Sequence, residues 1–496
     1  MAHPVEAAEA GEARELRRGS LSLWEAVGIS IALMAPSMAA NINPQGTVGL
    51  VGRAVPLAFV FATVGVLLVS YTFVRLCQIY NHAGSVFGFV GATLGPRFGV
   101  WAGWSLMGTY TFYACVTSAA AGIFGATFLD EIGIWDNHPL WAEFLFAFIA
   151  LAGAFLLASR PAHTAGRILL SIEGITVLLI VIVATVVLIK ILGGGAPGDQ
   201  SFTLDVFSPP SGSGIGDVFK GAVFGFLSFA GFEAAATLGE ETREPRRAIP
   251  RAILGTAIFG GIYFIFVTSV EMMGFGTDAN GVTAFGSSGS LLGDLGSAYI
   301  TSSIGDIITL GTAISAFGCA LACVVGATRI LYSLSRDGLG TTALGNVRSE
   351  TGTPVRALGV IVAAAAVIIA VCRIFFTDNA FDIFVWSGVI GTLILLVAYM
   401  LATLGAMRML WFRGRARVAT WQIVIPIAAL LVLLATIYYN VDPSAPKATR
   451  WNYYTAGIWV VAGAILVAVL PGLATRVGQG LSRHEGLGEG GTAAGE

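Results

Sequence analysis

The chain has 496 residues, of which 56% are hydrophobic and only 11% charged, with a mean hydropathy of +0.81 and a formal net charge of -2. Ordinary soluble domains carry about 25% charged residues, so this composition excludes one and places the chain in a lipid bilayer. The small net charge by itself points to no particular partner.

Residues 1-22 are Ala-, Glu- and Arg-rich without an apolar core, which predicts a cytoplasmic tail and no cleavable signal peptide, the first span acting as an uncleaved anchor. A spanning helix needs about 20 mostly apolar residues at roughly 1.5 Å each. Twelve such stretches follow, near 23-45, 54-76, 98-128, 138-159, 166-192, 217-239, 250-274, 304-334, 356-376, 382-410, 420-440 and 452-472. Several exceed what a bilayer requires, which predicts tilting or short turns outside it. Residues 193-216 read as an external loop. The longest loop, 275-303, is rich in Gly, Ser and Thr and reads either as a linker or as a structured external cap over a vestibule. The polar, Gly-rich residues 473-496 predict a disordered cytoplasmic tail, and no soluble domain is expected.

With the N-terminus inside, 21 of the 27 Lys and Arg residues fall on the cytoplasmic side, leaving Arg53, Lys190, Lys220, Arg373, Lys447 and Arg450 outside. That asymmetry predicts both termini in the cytoplasm. The basic loop 411-417 beside a cytoplasmic helix end is an orientation and headgroup anchor, with no nucleic-acid partner implied. Cys77, Cys115, Cys319, Cys323 and Cys372 lie within or at the ends of spans, without pairing or metal-ligand spacing, and read as small packing residues. No cofactor is called for.

Two spans carry interruptions. In the first, Pro36 sits mid-membrane within Ala35-Pro36-Ser37-Met38. Proline removes an amide donor and clashes with the carbonyl four residues back, so carbonyls near Ala32 and amides after Pro36 lose helical partners. Such amides suit a carboxylate, and such carbonyls suit an ammonium or sodium ion. A simple proline kink is the plainer reading of this feature alone. In the sixth span, Phe226-Leu227-Ser228-Phe229-Ala230-Gly231-Phe232-Glu233 places an Ala-Gly step near mid-membrane. Paired interruptions in spans one and six are what spans one to five and six to ten would carry as inverted repeats. Phe226 and Phe229 beside the break are candidates for a hydrophobic gate over a substrate. Chemistry of this kind belongs to a carrier with a polar pocket halfway across the bilayer.

The run Phe229-Ala230-Gly231-Phe232-Glu233, with Glu240-Glu241-Thr242, Pro245-Arg246 and Ile249-Pro250-Arg251-Ala252-Ile253, resembles the sixth-span signature of the amino acid-polyamine-organocation superfamily of permeases. Arg329-Ile330-Leu331-Tyr332-Ser333-Leu334-Ser335-Arg336-Asp337-Gly338, followed by Thr353-Pro354, resembles that superfamily's eighth-span exit. The resemblance runs from the first span to the twelfth. It implies an all-α membrane protein of 12 transmembrane helices, with a five-plus-five inverted repeat, discontinuous helices 1 and 6, and two extra helices. The repeats would then occupy 23-192 and 217-411, and the extra helices 412-472.

The family usually carries Gly-Ser-Gly in the first span, whose amides hold a substrate carboxylate. Pro36-Ser37-Met38 stands in that place, with only the Ser matching, which leaves the Ser37 and Met38 amides as donors and carbonyls around Phe229 and Ala230 for an ammonium. Where many proton-coupled members carry a fifth-span lysine, Glu173 aligns. An ionised acid inside the membrane costs on the order of 3 kcal/mol or more, so Glu173 is a candidate to bind and release a proton or to accept from a cationic substrate, with a structural acid as the alternative. Glu233, one turn past the second break, reads as a tie between the inner half-helix and its neighbours or as a responder to cytoplasmic pH. Tyr110, Tyr113, Trp386 and Ser387 fall where such permeases line their pocket. Thr312 and Ser315 are candidates for a sodium site. Glu271, Asp306 and Asp382, near span ends, read as exposed helix-terminal carboxylates.

These readings lead to a secondary transporter of the plasma membrane, importing a small amino acid with a proton, with a polyamine or organic-cation carrier, or an exchanger, as the alternative. No phosphate-binding Gly-rich loop of the ATP-driven type occurs. His3, His82, His138, His163 and His484 are dispersed, which argues against an intramembrane enzyme.

Overall fold

The computed structural model describes residues 22–80, 86–160, 163–198, 200–238, 242–336, 339, 342–347, 353–414, 418–444 and 447–470, together with 472, 475 and 476. The expected tails 1-22 and 473-496 fall almost wholly outside them. In chain order the helices are α1 (Leu23–Met34), α2 (Pro36–Val51), α3 (Val55–Ile79), α4 (Val86–Leu94), α5 (Pro96–Glu131), α6 (Leu140–Ala158), α7 (His163–Leu192) and α8 (Ile215–Ser228). They continue as α9 (Pro245–Phe275), α10 (Ala279–Ser287), α11 (Leu291–Tyr299), α12 (Ser302–Arg336), α13 (Val355–Phe375), α14 (Ala380–Met407), α15 (Val424–Asn440) and α16 (Lys447–Val469).

Among the described residues, 10 helical runs are long and apolar enough to cross a membrane, so the chain is a multi-pass membrane protein. The first run, Leu23–Ile79, is 57 residues long and contains α1, α2 and α3. The expected sixth span is missing from the ten because α8 has only 14 residues, about 21 Å of helix against a hydrocarbon core of about 30 Å. The lipid-facing surface is visible on α7, where Ile168, Ile175, Leu178, Ile182 and Ile189 recur at helical spacing and are all exposed. An apolar stripe of this kind facing outward has no rationale in water.

The centre is built on the longest helices. α5 and α12 lie against each other, α14 packs on α5, and α9 runs along α3. α8 packs against α2 and α3. The approach of α8 to α3 depends on Gly225, where a Cβ would fall 2.4 Å from Ala62 Cβ. Residues 275–303 fold into α10 and α11. α9 ends at Gly276, φ 107°, and Asp278 caps α10 by accepting from the Gly281 amide at 3.0 Å. Leu295 of α11 then packs on Gly274 and covers the end of α9.

Candidate functional site

The first interruption falls one residue before Pro36. Ala35 adopts a left-handed conformation, φ 45° and ψ 57°, and turns its amide back to the Ala32 carbonyl at 3.2 Å. For a residue with a Cβ this costs on the order of 1–2 kcal/mol, and Pro36 makes it tenable by starting a new helix that needs no donor at its first position. The Ser37 amide donates to Glu173 Oε1 at 2.9 Å and the Met38 amide to Ser315 Oγ at 3.3 Å. Only at Ala39 does helical bonding resume, to the Ala35 carbonyl. The two amides expected to await a substrate carboxylate are therefore occupied by side chains of α7 and α12. Leu33 and Met34, whose helical donors would have been those amides, keep carbonyls without backbone partners, and Leu33 receives only the Cys319 thiol at 3.7 Å.

The second interruption follows α8. The Phe229 amide is shared between the Gly225 and Phe226 carbonyls, Ala230 bonds to Leu227, and Gly231 takes φ 103°, outside the range of other residues. A short 3-10 turn, Ala234–Leu238, follows. The two interruptions meet. A Cβ on Gly231 would lie 3.0 Å from Leu33 Cβ and 3.1 Å from its carbonyl carbon. The Ala235 amide donates to Ser30 Oγ at 2.9 Å, and Asn43 Nδ2 to Ser228 Oγ at 2.6 Å. Around this junction Leu33, Ala230, Gly231 and Tyr110 keep accessible surface among buried neighbours such as Met34, Ala35, Phe229 and Phe232. Cys319, Cys323 and Gly326 share one face of α12. Cys319 reaches Leu33 at one end of that face, and at the other a Cβ on Gly326 would lie 3.3 Å from the Tyr110 ring.

Asn41 of α2 uses its whole hydrogen-bonding capacity. Its Nδ2 donates to the Ser37 carbonyl and to Thr312 Oγ1, each at 3.0 Å, and its Oδ1 accepts from Ser290 Oγ at 3.1 Å and the Leu292 amide at 2.8 Å. Gln45 adds bonds to the Phe285 and Ser288 carbonyls. α2 is thus tied to α10 and α11 on one side and to α12 on the other. Thr312 and Ser315, candidates for sodium, each accept one hydrogen bond, from Asn41 and from the Met38 amide.

Among the described residues four carboxylates are buried in the spans: Glu143 near the start of α6, which faces His138, and Glu173 (5% exposed), Glu233 (6%) and Glu271 (0%). No Lys or Arg pairs with Glu173, Glu233 or Glu271 among the described residues. Glu233 sits beside the Tyr399 hydroxyl and the backbone of Gly231, with Tyr110 and Tyr113 in its electrostatic neighbourhood. Glu271 has neither oxygen partnered. Its expected exposure is corrected here, because α11 covers the end of α9. Tyr263 lies within electrostatic reach of both Glu173 and Glu271, and its hydroxyl donates to the Pro36 carbonyl at 3.3 Å.

The other expected residues fall as follows. Phe229 lies at the junction, edge-on to Phe264 at 5.4 Å. Phe226 turns away from it, its ring filling the space a Cβ on Gly65 of α3 would need. Ser228 is fully buried between Asn43 and the Phe224 carbonyl. Tyr113 bonds to Thr392 at 2.9 Å. Sequence reasoning passed over Ser30, Asn41, Asn43 and Tyr263. Asn41 and Asn43 carried a signal, two amides in an otherwise apolar span, whereas nothing local distinguished Ser30 or Tyr263.

The family model described as "Amino acid permease" matches residues 26–482. The low-affinity putrescine importer PlaP of Escherichia coli K12 is 28% identical over 407 residues, 81% of this chain and 83% of that protein. The branched-chain amino acid permease BcaP of Bacillus subtilis is 25% identical over 318 residues, 61% of this chain and 64% of the relative. A choline transporter of Saccharomyces cerevisiae is 26% identical over 366 residues, 68% of this chain and 61% of that protein.

Proposed function

The chain belongs to the amino acid permease family, and from that premise we propose that it is a secondary active transporter carrying an amino acid or an amine across the plasma membrane by alternating access. The observation that carries this reading is the meeting of the two interrupted helices at Leu33 and Gly231. Irregular backbone at membrane depth is tolerated where protein or a cavity shields it from lipid, and that is where carriers bind solute. The relatives named for putrescine, branched-chain amino acids and choline agree with a small nitrogen-containing solute.

In this reading Leu23–Val51 and Val55–Ile79 form two spans, and α8 with the turn after it forms another, giving twelve. The first five and the next five are inverted repeats, both termini are cytoplasmic, and α10 and α11 form an external cap. The α1–α2 and α8 junctions move against α5, α12 and their neighbours. A proton drives import, with Glu173 and Glu233 as the groups whose protonation changes as access alternates. Proton coupling is preferred to sodium because Glu173, a group able to take up and release a proton, sits at the first break on the Ser37 amide.

Purified full-length protein in liposomes tests this. Uptake from a labelled panel of amino acids and amines should saturate, rise with an inward proton gradient and collapse with a protonophore, while a sodium gradient has no effect. Saturable uptake indifferent to the proton gradient would refute the coupling, and absence of saturable uptake would refute the carrier reading.

A further inference from the structure

We infer that the solute is an organic amine without a carboxylate, and that Glu173 sets this choice by occupying the place a solute carboxylate would take. The inference rests on the carrier reading above and narrows it.

The main-chain donors at the junction are spent. The N-terminus of α2 is where amides and helix dipole would draw an anion. Its first position is Pro36, with no N–H. Ser37 donates to Glu173, Met38 to Ser315 and Ala39 back to Ala35. The carboxyl group held there is the chain's own. A solute carboxylate would have to displace Glu173 from the Ser37 amide or go without that donor, and either is costly where water is excluded.

The acceptors are open. Among the described residues the Leu33 and Met34 carbonyls lack backbone donors, and Glu233 lies close by beside the Tyr399 hydroxyl. No Lys or Arg pairs with Glu173, Glu233 or Glu271 among the described residues. A buried region whose main-chain donors are taken while carbonyls stay open favours a group that only donates, and an ammonium is such a group; the Ser37 hydroxyl is the side-chain donor left without a partner there. A zwitterion satisfies half of this site and offends the other half.

Matched pairs isolate the carboxylate, since each amine has the side chain of its amino acid: alanine and ethylamine, leucine and 3-methylbutylamine, ornithine and 1,4-diaminobutane, lysine and 1,5-diaminopentane. Uptake and competition are measured with the full-length protein in liposomes. In the best-bound pair the amine should bind at least tenfold more tightly than its amino acid. Glu173→Ala frees the Ser37 amide, so the preference should shrink at least tenfold, with the amino acid gaining while the amine loses. Glu173→Gln still accepts from Ser37 without the charge, so it should weaken the amine with no gain for the amino acid. An amino acid bound as well as its amine by the wild-type protein overturns the inference and leaves the carrier reading standing, and this comparison holds even if Glu173→Ala does not fold. No saturable uptake of either member of any pair removes the carrier reading and the inference with it.

Discussion

Gly231→Ala is the most direct probe of the junction. At φ 103° an L side chain is strained, a cost on the order of 1–3 kcal/mol. The added Cβ would also stand 3.0 Å from Leu33 Cβ, 3.1 Å from its carbonyl carbon and 3.3 Å from its oxygen. The opposing atoms are largely main chain, so the two interruptions must part by a few tenths of an ångström. Taken together the change costs about 2–3 kcal/mol. If that falls on the interlocked arrangement, its population drops about 30- to 150-fold relative to alternatives. Initial uptake rates and thermal unfolding of the full-length protein read the effect, with Gly255→Ala on α9 as comparator, because no atom lies within 4 Å of a Cβ there. The comparator should be neutral or slightly stabilising. Wild-type uptake and unfolding in Gly231→Ala would refute the close meeting of the two helices.

Asn41→Ala strands the buried Leu292 amide and removes three further bonds; it should cost about 2–4 kcal/mol in denaturant unfolding, and wild-type unfolding would deny Asn41 its part in tying α2 to α11 and α12. Gly122→Ala would place a Cβ 2.1 Å from the Glu143 carbonyl oxygen, forcing α5 and α6 apart at about 1–3 kcal/mol, whereas Gly174→Ala, with open space around it, should unfold like wild type. Glu271→Gln relieves a buried carboxylate without a partner among the described residues and should raise the melting temperature; lower stability would show that the carboxylate is satisfied. Asp442, in the turn after α15, is held well below the usual carboxylate range first by the Lys220 ammonium, 2.8 Å away, and then by Ser444. A depressed acid stabilises the fold above its unfolded value of about 4 and loses that contribution as pH falls through its folded value. The melting deficit of Asp442→Asn should therefore be full at neutral pH and shrink as pH is lowered below about 4; a deficit independent of pH would deny the charge pair its role.

Much of this molecule was legible in the chain alone, because lipid imposes a one-dimensional rule. A span must be apolar over about 20 residues whatever it packs against, so hydropathy placed the helices and the charged loops between them. Proline and glycine likewise act through their own backbones, so Pro36 and Gly231 marked the interruptions to within a residue or two. Which groups meet there was a matter of tertiary structure. Glu173 stands 136 residues from the Ser37 amide that it holds, and Ser315 stands 277 from Met38. No local pattern tells a side chain which distant donor it will find, and for the same reason Glu271, four residues from a helix end, looked exposed until α11 was seen to cover it. Residue types near the breaks are written in the sequence, but whether an amide is free for a solute or already filled is decided only when the helices pack.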